Sequence, residues 1–198
     1  MSFTYSGLKT AIQNYMDNTE STFTSTLDTF IQQAENRVFN SIELNVFRKN
    51  VTGTATSGNQ YLATPSDYIS PLSLSVLDSS SNYTFLLLKH PSFMRNYTQA
   101  ASTTGVPKYY AQFDDNTFIL GPTPNANLTF ELHYLYQPAS LTTTGDSGTT
   151  WVSKNAPDLL LYGSLVEASI FMKQDPSETA LFEQRFQENL IRLTTLME

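Results

Sequence analysis

His90, next to Pro91, and His133, within a run of alternating apolar residues, are the only imidazoles in the chain. Neither falls in an H-E-x-x-H, H-x-x-E-H or similar ligand spacing, so neither is read as a metal ligand. Asp114 and Asp115 form an adjacent carboxylate pair of a type that could serve acid–base chemistry on sugars or hold a metal. Followed by Asn116 and flanked by strand-like runs, they are also what a tight turn requires for backbone reasons alone, and the turn reading is preferred. Gly53, Gly58, Gly105, Gly121, Gly145 and Gly148 never assemble into G-x-G-x-x-G or a P-loop. No G-x-S-x-G surrounds any serine, and the absence of cysteine excludes disulfides, thiolate catalysis and Cys-type zinc sites. The expectation is a non-enzymatic chain with no catalytic residues, cofactor or metal.

Composition points to a scaffold. Of the 198 residues, 40% are hydrophobic and 13% aromatic, enough for a real core, while only 15% are charged. The usual charged fraction is about 25%, so much of the surface is expected to face other protein. A net charge of −7 opposes tight nucleic-acid wrapping, because affinity for phosphates comes mainly from Lys and Arg. The tyrosines and phenylalanines could stack on bases or sugars, but they alternate in strands or recur along helices, where packing is the default. Residues 1–12 lack the basic stretch and apolar run of a signal peptide, and no run approaches the ~20 apolar residues of a membrane span. Export by the general route and membrane insertion are not expected. The N-x-[ST] triplets at Asn50, Asn82, Asn96 and Asn127 arise easily in so Asn/Ser/Thr-rich a chain and are not expected to be glycosylated.

The elements that would position any site are helical at both ends and β-rich between. Tyr5, Leu8, Ala11, Ile12, Tyr15 and Met16 recur at helical spacing, followed by a polar loop over 17–26. Leu27, Phe30, Ile31, Ala34, Val38 and Ile42 form a second stripe, with Glu35, Asn36 and Arg37 on the opposite side. Strands are expected over 46–56, 61–63, 68–77 and 83–88, paired antiparallel. Pro91 opens a short helix within 90–99. The runs 108–113 and 117–120 make a hairpin, and 128–136 alternates as a half-buried strand. The Ser/Thr/Gly-rich segment 139–150 reads as a mobile surface loop. Asn155 is expected to cap an almost wholly apolar helix over 159–172, and Asp175, Pro176 and Glu178 start the last helix with a capping box. The fold class is therefore α+β: residues 1–44 and 155–198 as one helical bundle, with 45–154 as an inserted antiparallel β-rich domain. Phe182 and Phe186 anchor the last helix, leaving Leu190, Ile191, Leu193, Leu196 and Met197 as an apolar end, read either as an interface with a partner or neighbouring subunit or as the completion of the bundle.

Several segments, in order, carry a resemblance. The chain opens with Thr4-Tyr5-Ser6-Gly7-Leu8-Lys9 and continues with Phe30-Ile31-Gln32-Gln33-Ala34-Glu35-Asn36-Arg37-Val38. Leu62-Ala63-Thr64-Pro65-Ser66-Asp67-Tyr68 and Gly105-Val106-Pro107-Lys108-Tyr109-Tyr110 follow, then Phe118-Ile119-Leu120-Gly121-Pro122-Thr123-Pro124 and Tyr134-Leu135-Tyr136-Gln137-Pro138. The most specific piece is Asn155-Ala156-Pro157-Asp158-Leu159-Leu160-Leu161-Tyr162-Gly163. Together they resemble the head-to-tail adaptor proteins of short-tailed bacteriophages, the family that includes the tail tubular protein A or gatekeeper of T7-like phages. The resemblance implies a virion protein at the head–tail junction, made in the cytoplasm of the bacterial host. It would form a ring of twelve copies under the portal, carry the tail nozzle or fibres, and let double-stranded DNA pass during ejection without specific binding. Twelve copies at −7 each give a formal −84, which would keep the wall from gripping DNA. The competing class is a tail-associated carbohydrate- or receptor-binding module, which would also be β-rich and aromatic.

Overall fold

The computed structural model describes residues 2–42, 46–77, 82–100 and 102–197, with the side chains of Leu196 and Met197 outside the described set. The fold is α+β and divides into two compact units, Met1–Glu43 with Pro138–Glu198, and Leu44–Gln137. The expected joint near 44–47 falls partly outside the described residues.

In the helical unit, α1 (Tyr5–Met16) starts at Thr4, whose hydroxyl accepts from the Gly7 N–H. Helix α2 (Ser21–Thr24) is a single turn inside the segment read as polar loop, and it exists to bury Phe23. Phe23 meets Phe30 at 5.7 Å between ring centroids and Phe171 at 6.4 Å. Helix α3 (Leu27–Ser41) buries the stripe Leu27, Phe30, Ile31, Ala34 and Val38. Short helix α5 (Trp151–Asn155) is capped reciprocally by Thr150 and Ser153. Asn155 therefore ends that helix, its amide donating to the Trp151 carbonyl, and does not cap the next one. Helix α6 (Pro157–Phe171) begins after Ala156, with Pro157 in its first turn. Its Leu/Val/Ala content is buried nearly all round because α1, α3 and α7 (Pro176–Met197) each pack on it. Gly163 allows the closest of these approaches: a Cβ there would lie 3.0 Å from the Ala34 Cβ and 3.1 Å from the Phe186 ring. Asp175 stands before α7, its Oδ1 accepting from the Ser177 N–H at 2.8 Å.

The segment 138–154, expected in the β-rich body, belongs to the helical unit. It is tied down by its own chain. The Tyr5 and Ser6 N–H groups donate to the Gly148 and Asp146 carbonyls, and Phe3 N–H to the Ser153 carbonyl. A 3₁₀ turn at Leu141–Thr143 buries Leu141 completely. The segment read as a mobile loop is bonded at these points because α1 leaves its first N–H groups without helical partners, and this segment supplies the carbonyls.

The β unit has two four-stranded sheets. The first runs β1 (Arg48–Ala55), β10 (Leu128–Tyr136), β3 (Tyr68–Leu77), β4 (Tyr83–Phe85), all antiparallel. The second runs β2 (Tyr61–Ala63), β8 (Thr117–Gly121), β7 (Tyr109–Asp114), β5 (Leu87–Leu88). Here β5 pairs parallel to β7, as does the small pair β6 (Thr104–Gly105) and β9 (Thr123–Pro124), so the all-antiparallel expectation is corrected at these two places. Leu74, Val76, Phe130 and Leu132 of the first sheet share one core with Tyr110, Phe118 and Leu120 of the second. The second sheet is covered on its other face by α4 (Pro91–Tyr97), where Met94 packs on Ala111 and Ile119. Burial on both faces explains why Phe118-Ile119-Leu120 is continuously apolar while β10 alternates.

Candidate interaction surfaces

Two of the residues that first suggested chemistry have structural duties. His90 caps α4, its Nδ1 accepting from the Ser92 N–H at 3.2 Å. Asp114 holds the β7–β8 turn by accepting from the Asn116 N–H at 2.9 Å. His133 is half-buried on β10. Among the described residues no group of three His, Asp or Glu converges as metal ligands would, and no helix is long and apolar enough to cross a membrane.

Three polar arrangements stiffen the units. Glu35, read from sequence as lying on the solvent side of α3, is only 2% exposed. It accepts the Leu141 N–H at 2.9 Å, and burial pushes its carboxyl up despite that bond and one to Ser140. Arg37 joins three helices: it bonds both Glu183 oxygens at 2.7 and 2.8 Å, lies 3.6 Å from Glu167, and stacks 4.3 Å over Phe186. Burial raises the Glu183 carboxyl, but hydrogen bonds from Arg37 and Gln187 outweigh it and hold the group below the usual range. In the β unit burial also pushes Asp67 up, and Lys49 with the Tyr134 hydroxyl reverses it to a net lowering. The Tyr134 hydroxyl, partly buried and donating to Asp67, is pushed up to about 12. These groups act as fasteners between elements of each unit.

The residues of the apolar C-terminal end separate. Leu193 is 6% exposed and lines a cavity of about 240 Å³ with Asn155, Asp158, Asn189 and Arg192. Leu190 is half-buried, and Ile191 is 65% exposed. Leu196 and Met197 continue α7, their side chains lying outside the described residues. Elsewhere in the helical unit Tyr15, Ile170, Phe171 and Leu181 are exposed. In the β unit Tyr83, Phe85, Leu87 and Leu88 are exposed in succession while Leu86 turns into the core. This run was read from sequence as one strand, and its role as the edge of both sheets was missed. A groove of about 360 Å³ lies on the outer face of the first sheet, lined by Asn50, Ser73, Tyr83, Phe85, Glu131 and His133.

Charge is divided unevenly between the units. The β unit holds five cations (Arg48, Lys49, Lys89, Arg95, Lys108) and five acids (Asp67, Asp78, Asp114, Asp115, Glu131). Of the chain's 11 cations and 18 acids, six and thirteen therefore remain in the helical unit, which carries the entire net charge of −7.

Apolar residues left in water, polar groups used as fasteners and a strongly acidic helical unit describe a protein that works by contact. A family model described as SU10 adaptor protein matches residues 3–197. The chain belongs to that family and is a structural adaptor of a bacteriophage virion. No curated protein sequence matches it.

Proposed function

We propose that this adaptor joins the portal to the tail, as a ring of twelve copies that extends the DNA channel and carries the nozzle or fibres, in the manner of the tail tubular protein A and gatekeeper proteins it resembles. The observation that carries the reading is the family match over nearly the whole chain. Exposed apolar side chains on both units support it. The acidic charge suits a channel wall, because a ring of net −84 offers DNA few cations for counterion release. Free protein is a monomer or small species that becomes a ring on the portal, since no heptad repeat drives self-association.

The end of α7 contributes to attachment through Ile191, with half-buried Leu190 beside it and Leu193 committed to its own unit. Binding to the portal protein of the same phage tests this. Ile191→Asp should weaken binding about tenfold, ~1.4 kcal/mol, with thermal unfolding unchanged. Unaltered binding by this variant would remove the α7 end from the interface, and failure of the unmodified protein to bind portal would remove the junction itself.

One feature favours the second reading, a tail-associated carbohydrate- or receptor-binding module: the groove beside Tyr83 and Phe85, where aromatic rings, Glu131 and Asn50 offer the stacking and hydrogen bonds that sugars require. A glycan array answers that question directly.

A further inference from the structure

The β unit is neutral as a whole, yet its exposed apolar edge is basic. Phe85, Leu87 and Leu88 stand in water there. Lys89 follows directly in the chain, and Lys108 lies alongside, its carbonyl accepting the Leu87 N–H at 3.0 Å. Both lysines are exposed, and neither forms a salt bridge among the described residues. The nearby arrangement holds Lys89 over the Phe93 ring at 5.4 Å, a cation kept at the apolar surface rather than neutralised by a carboxylate.

One end of the helical unit has the opposite character. There α1 stops, α6 stops and α7 begins, brought together by Phe23 against Phe171 and by the Asn18 amide on the Met172 sulfur. Tyr15, Ile170 and Leu181 are exposed at this end. Asp17, Glu20, Asp175 and Glu178 lie on the segments that meet here, all exposed and none in a salt bridge among the described residues; Lys173 is the cation at the α6 end, and Arg185, one turn after Leu181, is paired with Glu188. A groove of about 540 Å³ opens beside Ile170, Pro176 and Ala180.

We propose that the basic apolar edge of the β unit, at Leu87, Leu88, Lys89 and Lys108, docks on the acidic apolar end of the helical unit of a second copy of this chain, at Ile170, Leu181, Asp175 and Glu178. Each patch is apolar at its centre and charged at its margin, with opposite signs, so burial supplies contact and charge supplies orientation and register. The two patches are different surfaces of one chain, so the contact is head to tail, the kind that generates a ring when its rotation closes. The inference takes its partner, a neighbouring copy, from the ring reading above.

Carbodiimide cross-linking of an equal mixture of light and isotope-labelled protein tests it, both at high concentration alone and with portal. Links joining Lys89 or Lys108 peptides to Asp175 or Glu178 peptides should appear with mixed isotopes in at least one preparation. The Lys89→Glu, Lys108→Glu double variant lacks the reacting amines and forms no such links alone, but mixed with Glu178→Lys protein carrying Glu20→Lys it should form mixed-isotope links of reversed polarity between positions 89 or 108 and position 178. Links of a single isotope class, or no such links in either preparation, would overturn the proposal. The copy number of the portal complex, counted separately, reports on the ring reading, so a ring without these links refutes this contact alone.

Discussion

Glu35 makes the stability of the helical unit respond to pH in the direction opposite to most acids. Its folded pKa is raised above the ordinary 4.5, so the native state holds its proton more firmly than the unfolded chain. Its contribution is fully present below about pH 4.5 and is lost as pH rises through the folded value. Glu35→Gln keeps an acceptor for the Leu141 N–H without the charge. Urea unfolding of this variant should match the unmodified protein at low pH and exceed it at neutral pH, and a constant difference across that range would contradict the assignment. Glu35→Ala strands the Leu141 N–H and should cost about 1–3 kcal/mol at low pH, with the deficit shrinking as pH rises through the folded value. Glu183 has the opposite sign: its lowered pKa gives stability above the unfolded value, lost as pH falls through the folded one. Removing its partner by Arg37→Ala leaves Glu167 and Glu183 facing the same gap, partly exposed to water. A loss of about 1–2 kcal/mol is expected, between the surface and buried limits for broken ion pairs, readable as a lower urea midpoint. A midpoint within error of the unmodified protein would show that solvent screens the three-helix pin.

At the scale of elements, α6 decides the helical unit, and its packing is set by the smallest residue in it. Gly163→Val places two methyl-bearing branches where even a Cβ lies 3.0 Å from Ala34. Overpacking of this kind costs about 1–3 kcal/mol, so the thermal midpoint should fall by several degrees; an unchanged midpoint would mean that α3 and α7 can move apart. Phe23→Ala should cost about 3–5 kcal/mol, because this one side chain holds α2 against Phe30 and Phe171. The period-3.6 stripes of α1 and α3 and the alternation of β10 were legible in sequence because each element buries one face. Phe23 was not legible, being a single aromatic in a polar run, too short for any period. Glu35 was misread for a related reason: a carboxylate on a stripe's margin looks solvated until the 138–150 segment folds over it, and that segment's Ser/Thr/Gly composition gave no sign that α1 would hold it. The run 83–88 looked like one strand because its apolar character never breaks, while the chain changes sheets at Leu86, whose N–H donates to Leu74 before Leu87 turns to Lys108. The candidate surfaces were legible only in part: the sequence offered the end of α7, where Ile191 is exposed and Leu193 is buried, but not the basic β edge or the acidic helical end, because each is assembled from segments distant in sequence.

At the scale of the whole molecule, the chain puts its net charge in one unit and its neutral, aromatic-rich sheets in the other, and leaves apolar side chains in water on both. A protein built for catalysis concentrates unusual side chains in one cleft; here the unusual features are spread over surfaces, as an adaptor requires. Salt should matter accordingly. If neighbouring copies meet through opposite charges, assembly on the portal should weaken as ionic strength rises past the range where the Debye length is about 8 Å, while the stability of the free protein changes little; assembly indifferent to salt would assign the contact to apolar burial alone. The central claim, that this chain is the ring between portal and tail, is tested most directly by native mass spectrometry of the protein with and without its portal. The expected result is a monomer or small species alone and twelve copies per portal ring in the complex; a complex with far fewer copies, or no complex at all, would contradict it.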